Sequence, residues 1–169
     1  MSDAEFSTGW AAGHGSSRPL IGEMYAIAGV SVPELVDPDD ELSWSEIGSV
    51  AARRDGLLLA WATVYGNTES PDVAMVQHLY IPREVDRLRT GFYAGEPAVD
   101  EEREVAVLLY QAAADQARTA GYRVLVWHDI DNGPSGDAAR ALNAQPVHSE
   151  RTTHPDASWR ESTQYELQL

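Results

Sequence analysis

The stretch from Ala74 to Asp129 constrains the fold of this chain more than any other part of it. An apolar run from Val73 to Ile81 predicts a strand, which Pro82 ends. After a polar loop, apolar residues at helical spacing between Asp100 and Gly121 predict a long helix. The run from Tyr122 to His128 is largely apolar, as in a strand that is buried on both faces. Together these elements predict two parallel strands joined by a right-handed crossover.

The other patterns predict a helix and a strand meander before this unit. Apolar residues at helical spacing follow Pro19 and end at Gly29. The Asp55-Gly56 pair joins two extended runs and predicts a β-hairpin, with strands from Val50 to Arg53 and from Leu57 to Tyr65. After the crossover unit we expect a short helix and two strands, at Gly136 to Leu142, Ala144 to Ser149 and Thr163 to Leu169.

Composition separates the first residues from the rest. Residues 1–18 are rich in Gly, Ser and Ala and can bury little apolar surface, so we expect a mobile arm there. Residues 19–169 have the length and apolar content of a single domain.

The charge of the chain excludes several classes of partner. It has 27 acidic and 12 basic residues, and its formal net charge is −15. Such a field opposes binding to nucleic acids and to anionic membranes, and it favours a cationic partner. The chain has no cysteine, hence no disulfide or thiolate metal ligand, and no apolar run long enough to span a bilayer. We expect a cytoplasmic protein without a metal, a membrane or a nucleic acid partner.

Several local patterns resemble those of the Gcn5-related N-acetyltransferase family. They are Asp55-Gly56 followed by Leu59-Ala60-Trp61, and the runs Gln77 to Pro82, Gln116 to Arg123 and Asp137 to Val147. The order of the predicted elements is also similar to that of the family. The resemblance implies an α/β (α+β) fold, with a mixed, mainly antiparallel sheet and helices on both faces. It also implies acyl transfer from acetyl-CoA or another acyl-CoA to a small amine, which the acidic charge favours as a cation.

The loop after the predicted fourth strand departs from the family's pattern. In the family, a short glycine-rich loop and a helix N-terminus bind the pyrophosphate of coenzyme A, while the strand backbone, here Leu79, Tyr80 and Ile81, holds the pantetheine arm. The loop of this chain lacks closely spaced glycines, and acidic residues begin the following helix. Arg87 and Arg89 are the candidates for the phosphates, because arginine binds phosphate with two hydrogen bonds. The alternative is that the arginines of this loop, which include Arg83, pair with neighbouring acidic residues.

Four residues near the ends of the two predicted parallel strands are candidates for catalysis. His78 and Tyr80 share one face of their strand, and His128 ends the next strand and is followed by Asp129. In open α/β sheets the carboxyl ends of parallel strands form ligand sites, so we expect these side chains to meet. A histidine near its usual pKa can deprotonate an amine, and Asp129 would orient the ring of His128. The alternative is that both histidines are structural residues.

The tyrosine that many family members use as general acid has no counterpart here. Matching Leu142-Asn143-Ala144 to the family's Leu-Gly-Phe puts Ala139 at its position, so another acid is implied, such as Tyr110, Tyr93 or a histidine. Three functions stay open. They are acyl-CoA-dependent transfer to a small cationic amine, non-catalytic binding on the same fold, and an enzyme that reuses the cleft without coenzyme A. A homodimer is a further open alternative.

Overall fold

The computed structural model describes residues 6–34, 43–91, 97–153 and 159–169. Among these residues, seven strands form one sheet: β1 (Ser7–Ala12), β2 (Trp44–Arg54), β3 (Leu57–Asn67), β4 (Val73–Tyr80), β5 (Val124–Ile130), β6 (Gln145–Thr153) and β7 (Trp159–Gln168). The strand order is β1-β2-β3-β4-β5-β7-β6. The helices are α1 (Arg18–Ala28), α2 (Ile81–Thr90), α3 (Asp100–Thr119) and α4 (Pro134–Leu142).

The predicted mixed sheet is confirmed. Its neighbouring strands are antiparallel except for β4 and β5, which are the parallel pair expected on either side of the long helix. The hairpin of β2 and β3 turns at Asp55 and Gly56, whose φ angles of 51° and 79° are those of a tight turn that matches strand twist. The parallel pairing covers three positions, from Val73 opposite Val124 to Met75 opposite Val126. Beyond them β4 and β5 separate.

The helices cover both faces of the sheet, as the resemblance implied. On one face α3 and α4 pack on the strands, and the large side chains Leu109, Tyr110, Leu125 and Trp127 lie at the centre of this core. On the other face α1 and α2 pack on β3 and β4 through a smaller cluster that includes Met24, Trp61, Ile81 and Val85. No helix among the described residues is long and apolar enough to cross a membrane.

The prediction of a mobile arm at residues 1–18 needs a correction, because Ser7–Ala12 is a strand of the sheet. It pairs with β2 from Ser7 opposite Arg53 to Ala12 opposite Gly48. Backbone hydrogen bonds hold this segment, so its small side chains are no obstacle. The ring of Trp10 lies where a side chain at position 48 would stand, since a Cβ on Gly48 would come within 2.1 Å of it.

The prediction of a polar loop directly after β4 is also wrong, because α2 begins at the end of the strand. Pro82 lies in the first turn of α2, where its missing N–H costs no hydrogen bond, and Gly91 ends the helix with a φ of 85°. Ile81 and Val85 bury one side of α2 against the α1 face of the sheet. Tyr93 lies outside the described residues.

Candidate functional site

A cleft of about 690 Å³ lies where β4 and β5 separate. Its walls include residues from both faces of the sheet, because the gap between the strands connects them. On the α1 side the walls are aromatic, with Tyr25, Trp61 and Tyr65. The charged residues of the lining are Arg83, Glu84, Glu102 and Asp129. A cavity of this size suits a small molecule.

His78 lies in the cleft wall and is held by two hydroxyl groups on the α3 side. Its Nδ1 lies 3.0 Å from the Tyr110 hydroxyl of α3 and 3.2 Å from the Ser135 hydroxyl of α4. The two hydroxyl oxygens are themselves 2.7 Å apart. Burial lowers the pKa of His78 to about 4, although Glu102 and Glu84 act in the opposite direction. The ring is therefore neutral at physiological pH.

His128 and Asp129 do not form the pair that the sequence predicted. Trp127 and Asp129 point toward α3 and α4, so His128 between them points to the opposite face, where it is exposed. The Asp129 carboxylate accepts the Gly133 N–H at 3.0 Å and also accepts backbone N–H groups of Gly136 and Ile130. Burial raises the pKa of Asp129, and these N–H groups partly offset the rise. Asp129 fixes the start of α4 and does not orient His128.

Tyr80 is tied to α3 and to the β2–β3 hairpin. Its hydroxyl donates to Glu101 at 2.8 Å, and Arg54 donates to the other oxygen of the same carboxylate at 2.8 Å. Burial and this hydrogen bond raise the pKa of Tyr80 well above its usual range. A raised pKa makes this tyrosine a weaker general acid.

The predicted phosphate ligands have other partners in the structure. Arg87 donates to Glu84 at 2.9 Å, and Arg89 donates to the Ile27 and Ala28 carbonyls at the end of α1. Arg83 makes two hydrogen bonds to Glu102, at 3.0 and 2.8 Å. The alternative interpretation, pairing with acidic neighbours, describes Arg83 and Arg87. Arg89 instead caps a helix, where a cation is favourable.

Comparison with solved structures identifies the architecture. A putative acetyltransferase from Salmonella typhimurium, solved with its cofactor acetyl-CoA, is 15% identical over 96% of this chain and 94% of that chain, with a TM-score of 0.59. An N-acetyltransferase from Staphylococcus aureus Mu50 is 14% identical over 96% and 98%, with a TM-score of 0.57. This chain has the fold of the Gcn5-related N-acetyltransferases. No protein-family model and no curated protein matches it.

In an acetyltransferase fold the implied cofactor is an acyl-CoA, and its pyrophosphate does not fit the residues present. The first turn of α3 contains Asp100, Glu101 and Glu102, and Glu102 is buried. Instead of a glycine-rich loop, α2 follows β4, and its first turn contains the buried Glu84. Glu84 and Glu102 pair with Arg87 and Arg83 and so occupy the guanidinium groups that a pyrophosphate would need, and like-charge contacts at the acidic helix start would each cost about 1 kcal/mol or more.

The backbone at the end of β4 has one edge that is not paired with a neighbouring strand. Leu79 and Tyr80 lie beyond the three positions at which β4 pairs with β5, so the β5 side of this backbone is free of sheet pairing. The prediction that Leu79, Tyr80 and Ile81 form a binding edge for an extended ligand therefore stays a prediction.

Ala139, at the position of the family's general acid, is fully buried in α4 and has no proton to donate. Among the described residues, no group of three or more His, Asp or Glu side chains is placed to hold a metal ion.

Sequence reasoning did not identify three of the residues that define the cleft. Ser135 contributes a hydroxyl to the His78 network, and Glu84 and Glu102 contribute buried charge. The sequence patterns place Glu84 in the polar loop predicted after β4 and Glu102 among the acidic residues that begin the next helix. Helical spacing offers one usable signal, since Glu102 is four residues from Ala106 and seven from Leu109 on the buried side of α3.

Proposed function

We propose that this protein binds a small cationic amine in the cleft between β4 and β5. The observation that supports the proposal is the cleft lining, in which the described residues include the carboxylates of Glu84, Glu102 and Asp129 and the guanidinium of Arg83; Arg83 pairs with Glu102, and Arg87, outside the lining, pairs with Glu84. Aromatic rings on the α1 side add a second attraction, because ring faces attract ammonium groups. The net charge of −15 draws cations toward the surface and repels anions.

Acyl transfer from an acyl-CoA to this amine is the second candidate function. The observation in its favour is the unpaired β5 side of the β4 backbone, in a fold that one solved relative uses with acetyl-CoA. The buried carboxylates near the expected pyrophosphate position count against it. We therefore rank binding of the amine first and regard catalysis as a separate question.

The proposal is tested by calorimetric titration with the monocation isopentylamine and the dication putrescine, and with the neutral isopentyl alcohol as the control ligand. We expect saturable binding of the cations and much weaker binding of the alcohol. Glu84→Gln removes one carboxylate from the lining and the partner of Arg87, and it should weaken cation binding about tenfold. Glu69→Gln is the matched control, since Glu69 is exposed in the turn between β3 and β4.

If Glu84→Gln does not fold, the comparison of the cations with the alcohol on the natural protein still tests the proposal. Equal binding of the alcohol and the cations would overturn the proposal. An equal loss of affinity in the Glu69→Gln control would also overturn it, because the effect would then belong to the net charge and not to the cleft.

A further inference from the structure

We propose that His78 offers a fixed N–H donor to the cleft through Nε2, and that the bound cation carries a hydrogen-bond-accepting oxygen such as an amide carbonyl. The second half rests on the proposed function, since it names the class of amine that the cleft selects. The first half concerns the protein alone. Neither half gives His78 the role of a base.

Counting hydrogens shows which ring nitrogen of His78 carries the proton. The atoms concerned are His78 Nδ1 and the hydroxyl oxygens of Tyr110 and Ser135, which form a triangle. All three pairs of atoms lie within hydrogen-bond distance, at 3.0, 3.2 and 2.7 Å. If Nδ1 accepts, one hydroxyl donates to it and the other hydroxyl donates to the first, so every hydrogen has an acceptor. If Nδ1 carries the proton, it can only donate, and one hydroxyl hydrogen is left without an acceptor among the described residues. We therefore assign the proton to Nε2, since a neutral imidazole has one donor and one acceptor nitrogen.

The second ring nitrogen is open to the cleft. Among the described residues Nε2 of His78 has no hydrogen-bond partner. The one buried side-chain nitrogen or oxygen without a partner in the same residues is Arg54 Nε, so Nε2 of His78 is accessible. The ring lines the cleft, and an accessible nitrogen on it faces that space.

The ring cannot turn easily to exchange its two nitrogens. The rings of His78 and Tyr110 pack edge-to-face at 5.2 Å between centroids, and Tyr110 in turn packs on Trp127 at 4.9 Å. Trp127 donates to the Ser135 carbonyl at 3.0 Å, which fixes the start of α4 and with it the Ser135 hydroxyl. Tyr110 and Ser135 are therefore positioning residues for the donor, and a donor fixed in a partly dry site favours a ligand with an oxygen opposite it.

The first test is nuclear magnetic resonance of the ring nitrogens of His78 at neutral pH, without ligand. We expect a protonated Nε2 and an unprotonated Nδ1. Tyr110→Phe should keep this state, because Ser135 still donates to Nδ1, whereas Tyr110→Phe with Ser135→Ala should give a mixture of tautomers. A protonated Nδ1 in the natural protein would overturn the proposal.

The second test compares β-alaninamide with isopentylamine, two cations with the same number and connectivity of heavy atoms, in which an amide group replaces an isopropyl group. We expect the natural protein to prefer β-alaninamide by about tenfold. His78→Phe should lose the preference and keep its affinity for isopentylamine. An equal preference in His78→Phe would overturn the ligand half. If neither cation binds, the proposed function and the ligand half fail together, while the tautomer measurement still decides the donor.

Discussion

The environment of His78 is unusual for a residue expected to act as a base. Burial lowers its pKa to about 4, and Glu102 of α3 and Glu84 of α2 do not offset the cost of desolvation. The hydroxyl groups of Tyr110 and Ser135 add hydrogen bonds that suit the neutral ring. A base toward an amine needs a pKa near the working pH, so this histidine is better suited to donate a hydrogen bond.

The lowered pKa predicts a dependence of stability on pH. Histidine in the unfolded chain has a pKa near 6.5. Below that pH the unfolded state binds a proton that the folded state binds only near pH 4. The free energy of unfolding should therefore fall as pH decreases through this window, by up to about 3 kcal/mol from this residue. Urea unfolding at several pH values should show a shallower fall for His78→Gln than for the natural protein. His148→Gln, which removes an exposed histidine, is the control, and identical slopes in all three proteins would contradict the assignment.

At the scale of elements, the structure explains which parts of the fold were predictable. The hairpin was predictable because Asp55-Gly56 marks its turn, and α3 because its buried residues recur at helical spacing. The helix α2 was not predictable in the same way, since half of its residues are charged and Pro82 is equally compatible with a loop and with a first helical turn. Strand β1 was not predictable either, since its apolar pattern is weak. Backbone pairing with β2 holds it in the sheet.

The contact between α2 and α3 leads to a prediction about stability. Arg83 makes two hydrogen bonds to the buried Glu102, so Arg83→Met leaves a carboxylate without its guanidinium. We expect this change to lower the free energy of unfolding by about 3 kcal/mol, because breaking a buried pair from one side is costly. Arg83→Met combined with Glu102→Gln should recover a large part of the loss.

The control is Arg118→Met, which breaks an exposed pair with Asp115 and should lower the free energy of unfolding by less than about 1 kcal/mol. Equal losses for Arg83→Met and Arg118→Met in urea unfolding would refute this account.

At the scale of the whole molecule, the location of the cleft was predictable and the geometry of its side chains was not. The carboxyl ends of the two parallel strands were expected to form a ligand site, and the cleft lies there. Alternation along each strand gives the faces within that strand, but the register between strands is a tertiary property. In the observed register Met75 lies opposite Val126, and this sets His78 and Asp129 on the α3 face while His128 points the other way. If β5 were shifted by one residue relative to β4, His78 and His128 would lie on the same face of the sheet.

The charge of the whole molecule leads to a prediction about coenzyme A. A ligand at 100 times its dissociation constant adds about 2.7 kcal/mol and raises the unfolding midpoint of a chain of this size by about 5–10 °C. We expect no such rise with millimolar acetyl-CoA at physiological ionic strength, since the net charge is −15 and buried carboxylates lie near the expected pyrophosphate position. Isopentylamine in the same scan is the comparison ligand and should raise the midpoint. A clear rise with acetyl-CoA would reverse the ranking, because the cofactor would then bind despite Glu84 and Glu102, and acyl transfer would become the first candidate function.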